Sequence, residues 1–250
     1  MKRDIRFLNA NAIKFLAALF MVIDHIGFLF FPTSLIWRYI GRISMPLFAF
    51  AIAEGCRYTK NKIRHIGLIA ALALVCQVVY YFFDNGSLYM CILVTFTLSI
   101  TCIYALQYCK ATVFDKDAKN IEKLLAVAVF CLAVAVVWVL NELLTVDYGF
   151  WGCMTPVFAS LFDFRRIPAP TILQNLDKIP IRAVSMAIPL IGLCYTGALG
   201  WYSLYALLAI PLLFFYNGEK GKWKTKYFFY LFYPLHLVAL EGVYMLINQL

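Results

Sequence analysis

The sequence predicts an all-α, polytopic transmembrane helix bundle that forms one integral membrane domain over residues 1–250. Composition is the first observation: of 250 residues, 64% are hydrophobic and only 14% are charged, whereas a soluble domain has roughly a quarter of its residues charged. The second is a series of apolar runs, each close to the ~20 residues that cross a bilayer. The third is an alternation of basic residues between successive connections. The deficit of charge implies that most of the surface faces lipid.

The apolar runs predict about nine spans. In chain order they are Leu8–Phe31, Tyr39–Tyr58, Ile66–Phe83, Leu88–Cys109, Ile121–Leu140, Tyr148–Phe164, Ala183–Leu199, Trp201–Tyr216 and Tyr227–Ile247. The seventh and eighth are short and meet at Gly197–Gly200, so a re-entrant hairpin is the alternative for that pair. The first run is too long for a signal peptide and contains Asp24 and His25, so it is predicted to remain as a span.

Basic residues predict the orientation, because nineteen of the 22 Lys and Arg residues lie in the N-terminal segment and in every second connection. They are Lys2, Arg3, Arg6, Arg57, Lys60, Lys62, Arg64, Lys110, Lys116, Lys119, Lys123, Arg165, Arg166, Lys178, Arg182, Lys220, Lys222, Lys224 and Lys226. The other connections contain only Arg38. Since basic loops are retained in the cytoplasm, the N-terminus is predicted to be cytoplasmic in a multi-pass protein of the inner, or cytoplasmic, membrane. The net charge of +9 then belongs to loops at a membrane surface, and no nucleic-acid partner is expected.

The eight cysteines are scattered singly along the chain, without a C-x-x-C pair or a histidine at metal-ligand spacing. We interpret them as small apolar residues of helices. No metal site is predicted.

Ionisable residues inside the predicted spans are the candidates for a functional site, because each costs several kcal/mol in lipid unless it is paired or wetted. They are Lys14, Asp24 and His25 in the first span, Arg42 and Glu54 in the second, and His236 and Glu241 in the last. A rise of ~1.5 Å per residue places Asp24, His25 and Arg42 in the outer half of the membrane. The same count places Lys14 and Glu54 in the inner half.

Helical geometry predicts which of these side chains meet. Lys14 and His25 are eleven residues apart, so they share nearly one face and lie ~16 Å apart along the axis. Asp24 points about 100° away from His25 and is predicted to pair with Arg42 on the next helix.

Structural roles remain open for each of these residues. Lys14 can extend its ammonium to the interface, and the Asp24–Arg42 pair can serve only to join helices. His25 can be a packing residue, and His236 can serve the local polarity created by Pro234. His65 is predicted to be solvated in a basic inner loop.

Three motifs occur in the first quarter of the chain and in its last span. They are Leu8–Lys14 with Met21–Gly27, then Gly41–Phe50 with Glu54-Gly55 and Arg57–Asn61, and finally Tyr233–Leu237. In content and order they resemble the TraX family, whose best-known activity is acetylation of the N-terminus of a conjugative pilin subunit. That family is similar to the larger acyltransferase-three superfamily, in which an arginine precedes a histidine by eleven residues on the first helix. Lys14 and His25 keep the spacing, with a lysine that retains the charge but lacks the bidentate fork of arginine.

The resemblance implies a membrane-embedded acetyl- or acyltransferase that moves an acyl group to an amine or hydroxyl acceptor at the outer side of the membrane. His25 would be the general base, and Asp24 and Arg42 would position it or stabilise charge on the thioester oxygen. His236 is the rival base, or an oxyanion donor beside His25. The acceptor would be a peptide N-terminus, a glycan or a small molecule.

The donor implied by the resemblance is cytoplasmic acetyl-CoA or another acyl-CoA. Its binding residues would be Lys14, Glu54, Arg57 and Lys60 at the inner mouth. The sequence has no Ser or Cys beside a histidine that would indicate a covalent intermediate, so direct transfer is expected. The alternatives are a transporter or flippase whose pathway these charges line, and a noncatalytic scaffold whose charges only hold helices together.

Overall fold

The computed structural model describes residues 5–83, 89–196, 200–223 and 225–248. Most of these residues are helical, and the described ranges contain no β-strand, which confirms the predicted all-helical fold class. The helices are α1 (Ala10–Phe30), α2 (Leu35–Gly41), α3 (Ser44–Tyr58), α4 (Lys62–Phe83), α5 (Ile92–Val113), α6 (Asn120–Leu143), α7 (Gly149–Ala159), α8 (Thr171–Leu176), α9 (Ile179–Ser185), α10 (Ala187–Thr196), a 3₁₀ helix (Gly200–Leu208), α11 (Ala209–Phe214) and α12 (Lys226–Asn248). Among the sequence predictions, Lys2, Arg3, the outer connection at 84–87, most of the turn at 197–200 and Lys224 lie outside the described residues.

Six helical segments within these ranges are long and apolar enough to cross a membrane. They are Ala10–Phe30, Leu35–Tyr58, Lys62–Phe82, Ile92–Val113, Asn120–Leu143 and Phe228–Ile247. They make the chain a membrane protein embedded in a lipid bilayer. The seventh and eighth predicted spans correspond to shorter apolar helices, and the sixth corresponds to the 11-residue helix α7. The count of nine crossings and the cytoplasmic N-terminus therefore stay predictions.

The sixth predicted span is wrong in its extent. Helix α7 has 11 residues and ends at Ala159, not at Phe164, so it rises only ~16 Å. Beyond it, the Lys110 ammonium donates hydrogen bonds to the carbonyls of Ser160 (2.7 Å) and Asp163 (3.0 Å). Because Lys110 satisfies these carbonyls, the chain can leave the helix without stranding buried acceptors.

The apolar side chains occupy two environments, the lipid-facing surface and the interior. Most apolar side chains of helix α6 are exposed, including Leu124, Leu132 and Trp138, as expected of a helix in contact with lipid. The interior is built around α1 and α3, where Ile13 and Phe50 are almost completely buried. Helix α1 packs against α2, α3 and α12, and this arrangement brings the first and last motifs together.

Cysteine labelling of intact cells tests the predicted orientation. In a background without the eight native cysteines, a cysteine at Thr145 should react with a membrane-impermeant maleimide added outside. Cysteines at Lys116 and Lys222 should react only after lysis, because basic connections are retained inside. Labelling of Lys116→Cys in intact cells together with protection of Thr145→Cys would show the reverse orientation.

Candidate functional site

A cavity of about 770 Å³ lies among α1, α3, α4, α5 and α12. Lys14 and His25 both line it, which confirms the prediction that they share a face of α1. Eleven residues of helix separate them, so the cavity extends ~16 Å along the axis between the two side chains. One cavity therefore reaches both the Lys14 cation and the His25 imidazole.

The carboxylate of Asp24 is held by two arginines. Arg42 Nη2 lies 2.7 Å from Oδ1 and 2.6 Å from Oδ2, and Arg38 Nη1 lies 3.1 Å from Oδ2. The Asp24–Arg42 pair is as predicted. The contact of Arg38 with Asp24 is not, because the sequence shows Arg38 only as a residue of an outer connection. The three residues, here called the Asp24 cluster, carry a net charge of +1.

Local structure explains why the Asp24 cluster forms. Arg38 and Arg42 are four residues apart, so they project from one face where α2 ends. Gly41 allows α2 to approach α1, because a Cβ there would lie 2.3 Å from Asp24 Cβ. Arg42 is only 4% exposed, and its Nε has no hydrogen-bond partner in the described part of the chain. One guanidinium donor is thus buried and left unpaired by the described residues.

The two histidines of the motifs meet across α1 and α12. The ring centroids of His25 and His236 are 5.1 Å apart, and the ring planes are inclined by 87°. His25 Nδ1 lies 2.8 Å from Met21 O, and His236 Nδ1 lies 3.0 Å from Phe232 O. A carbonyl only accepts hydrogen bonds, so Nδ1 carries the proton in both rings. In the neutral form each histidine therefore presents a basic lone pair at Nε2.

This tautomer bears on the predicted division of roles. His236 is 7% exposed, and its Nε2 has no hydrogen-bond partner among the described residues. Phe232 stacks on its ring at 5.1 Å with an inclination of 7°, which fixes the orientation of the imidazole. A neutral His236 in this state accepts at Nε2 and cannot donate to an oxyanion. An oxyanion role would require the protonated ring.

The turn before α7 adds two residues that the sequence analysis did not select. Asp147 and Tyr148 line the cavity, and Tyr89 Oη donates a 2.7 Å hydrogen bond to Asp147 Oδ1. Tyr148 has a φ of 61°, a left-handed conformation that costs a non-glycine residue of order 1–3 kcal/mol. The Arg42 guanidinium lies 5.7 Å from the Tyr148 ring centroid. The sequence offered one signal, an acidic residue directly before a predicted span.

Burial raises the pKa of Asp147 to about 6, from an ordinary value of 3.8. The folded state therefore binds this proton more tightly than the unfolded chain does. The resulting stability is fully present below pH 3.8 and is lost as the pH rises through about 6. At neutral pH the buried carboxylate costs at most roughly 3 kcal/mol.

Asp147→Asn is accordingly expected to raise the melting temperature at pH 7.5, because the amide removes the buried charge and still accepts from Tyr89. The gain should shrink when the same melting curves are recorded near pH 4.5. Glu142→Gln, on the exposed end of α6, is a matched control that should change neither curve. A variant that melts below the parent protein at pH 7.5 would contradict the assignment.

Glu54 and Arg57 contact other protein residues. Arg182 Nη1 lies 2.6 Å from Glu54 Oε1, and Tyr216 Oη donates to Glu54 Oε2 at 3.0 Å. Arg57 pairs with Asp177 through both Nη atoms, and its Nη1 lies 3.1 Å from Asp163. Neither Glu54 nor Arg57 lines the cavity.

Lys60 lies just beyond the end of α3. It is exposed and does not line the cavity either. Contact of Glu54, Arg57 or Lys60 with coenzyme A stays a prediction. Lys14 lines the cavity, and its Nζ lies 6.0 Å from the Phe229 ring centroid. His65 is not a solvated loop residue, which corrects the prediction: it belongs to α4, and its Nδ1 lies 2.7 Å from Tyr104 Oη.

Comparisons with known proteins agree with the motifs. The family model described as TraX protein matches residues 9–244. The chain is 25% identical over 277 residues to the probable fimbrial assembly protein FimC, serogroup H1, of Dichelobacter nodosus. That alignment covers 99% of this chain and 100% of the relative. No solved structure matches the chain.

Proposed function

Since the chain belongs to the TraX family, we propose that it is a membrane-embedded acyltransferase that moves an acetyl or other acyl group from cytoplasmic acyl-CoA to an amine or hydroxyl at the outer side of the inner membrane. The observation that carries this proposal is the cavity that joins Lys14 to His25. A relation to the acyltransferase-three superfamily is part of the same proposal.

The proposed chemistry is a direct transfer. The acceptor nitrogen or oxygen attacks the thioester carbonyl carbon while His25 Nε2 takes its proton. The carbon–sulfur bond then breaks, and the leaving thiolate takes that proton from His25. The products are an acylated acceptor and free coenzyme A thiol, and His25 returns to its starting form. The hydrogen bond from Nδ1 to Met21 O supports this role, because it leaves Nε2 free to accept.

Charge develops on the thioester oxygen during the attack. Arg42 is suited to stabilise it, because its cationic side chain lines the same cavity as His25. Asp24 holds Arg42 through Nη2 and offsets its charge in the absence of substrate. In this proposal Asp24 is a positioning residue.

The relative's printed name bears on the acceptor. The relative is named for fimbrial assembly, and the TraX resemblance implies a pilin N-terminus as acceptor, so a pilin amine at the outer side is one acceptor to try first. The cavity lined by Lys14 and the Asp24 cluster is also what a transporter or flippase would need. Only a chemical assay separates these functions.

A thiol-release assay tests the proposal. Purified protein in detergent is mixed with acetyl-CoA and a synthetic peptide that has a free N-terminal amine. We expect free thiol and acetylated peptide to appear in equal amounts. The same peptide with a blocked N-terminus and no other nucleophile is the control. No thiol release above the detergent blank from folded protein would contradict an acyltransferase and favour a transporter.

A further inference from the structure

Residues 215–223, here called the strap, are held across the beginning of α1. Leu8 N donates to Phe215 O at 2.9 Å, Asn217 N donates to Leu8 O at 2.8 Å, and Ala10 N donates to Glu219 O at 2.8 Å. Further along, Asn11 Nδ2 donates to Trp223 O at 2.9 Å. The connection before α12 is thus fixed to the end of α1 that carries Lys14.

A glycine makes this close approach possible. Gly221 has a φ of 85°, and a Cβ there would lie 2.8 Å from both Asn11 Nδ2 and Asn9 Oδ1. Asn9 caps α1 by accepting from Ala12 N at 3.0 Å, and Asn11 is buried. The strap and the helix therefore form one built surface, whose backbone and amide groups are satisfied by each other.

The net charge of this surface is positive. Lys220 on the strap acts electrostatically on Lys14, and Lys220 and Lys222 are both exposed. Glu219 lies beside them, but its carboxylate accepts from Asn217 Nδ2 at 3.3 Å. Among the described residues, no acidic side chain forms an ion pair with these three lysines. Ammonium groups brought together near the beginning of α1 favour binding of a multivalent anion.

An exposed aromatic ring completes the surface. Trp223 is 70% exposed, although its indole packs against Phe15 in a T-shaped arrangement, with ring centroids 6.3 Å apart. A tryptophan that is supported on one side and open on the other offers a stacking face to a planar base. The surface thus combines cations for phosphate with an aromatic face for a base.

We propose that the strap, together with Lys14, binds the phosphorylated nucleotide end of coenzyme A. The phosphates would lie among Lys14, Lys220 and Lys222, and the adenine would stack on Trp223. From Lys14 the cavity continues ~16 Å to His25, a distance that an extended pantetheine arm spans. This inference rests on the proposed function, and it places nucleotide recognition on the strap instead of on Glu54, Arg57 and Lys60.

Kinetics with two donors test the strap. The double variant Lys220→Ala, Lys222→Ala removes two exposed charges and no contact that holds the strap to α1. With acetyl-CoA as donor, its KM should rise about tenfold or more with kcat unchanged, because a hydrogen bond to a charged group contributes ~1.5–3 kcal/mol. With acetyl-pantetheine, which lacks the nucleotide, the variant and the parent protein should react equally. Lys116→Ala, Lys123→Ala, on a different basic connection, is the matched control. An unchanged KM for acetyl-CoA in the strap variant would overturn the inference.

Equilibrium binding separates the strap from the proposed function. Calorimetry with 3′,5′-ADP as the probe should show binding to the parent protein and at least tenfold weaker binding to the strap variant. If 3′,5′-ADP binding differs in this way but the parent protein transfers no acyl group, the nucleotide site is supported and the acyltransferase is contradicted. Equal affinity of both proteins for 3′,5′-ADP would overturn the site. The site would also be overturned if the strap variant lost only its affinity for phosphatidylglycerol vesicles, because the lysines would then bind a lipid headgroup.

Discussion

Replacing His25 with alanine is expected to lower acetyl transfer by ~100- to 10,000-fold while acetyl-CoA binding and thermal stability stay close to those of the parent protein. The loss is expected because attack on a thioester requires a base for the acceptor's proton. Stability should change little, since the substitution removes one hydrogen bond, from His25 Nδ1 to Met21 O. Initial rates and donor binding measured on the same preparation check both parts.

Two further variants make the His25 experiment decisive. His25→Asn places an amide N–H where Nδ1–H stands, so it can keep the bond to Met21 O and still lacks the base at Nε2. It should be as inactive as the alanine variant and at least as stable. His236→Ala should lower the rate less, because its Nε2 is buried and it does not line the cavity. A rate for His25→Asn near that of the parent protein would return His25 to a packing role.

The Asp24 cluster should dominate stability. Asp24→Asn removes the carboxylate that pairs with both guanidinium groups, one of them 4% exposed, and is expected to destabilise the protein by ~3–5 kcal/mol. Arg42→Met should cost less, because Asp24 keeps Arg38 at 3.1 Å. The double variant Asp24→Asn, Arg42→Met should be more stable than Asp24→Asn alone, since only the more exposed Arg38 then remains unpaired.

Melting temperatures in detergent for the two single variants and the double variant form a cycle that isolates the coupling. Arg38→Met is the matched control, because it removes the outer arginine and leaves the Asp24–Arg42 contact at 2.6 Å intact. Damage in the double variant equal to the sum of the damage in Asp24→Asn and in Arg42→Met would show that the two residues are not coupled.

Hydropathy and helical periodicity predicted the parts of the fold that depend on neighbouring residues. The long helices lie near their predicted positions, because each apolar run is itself the signal for a span. The shared face of Lys14 and His25 follows from their spacing on one helix. The Asp24–Arg42 pair could be predicted because an isolated charge in lipid is unfavourable, so opposite charges in adjacent spans are expected to pair. That expectation needs only the order of the helices.

The contacts that the sequence could not reveal join distant parts of the chain. Glu54 and Arg182 are 128 residues apart, and nothing local distinguishes Arg182 from the other basic residues of its connection. The pairing of Arg57 with Asp177 depends likewise on how short helices return after α7. His236 meets His25 only because α12 packs against α1. Hydropathy also missed the end of α7, because Lys110 on another helix satisfies the carbonyls there.

Transfer across a sealed membrane tests the central claim most directly. The protein is reconstituted into vesicles with the basic connections facing outward, acetyl-CoA is added outside, and a peptide with a free N-terminal amine is enclosed. We expect the enclosed peptide to be acetylated, and His25→Asn vesicles to give no product above the protein-free control. Acetylation only when donor and peptide are on the same side, or equal acetylation by the His25→Asn protein, would contradict transfer through the Lys14–His25 cavity.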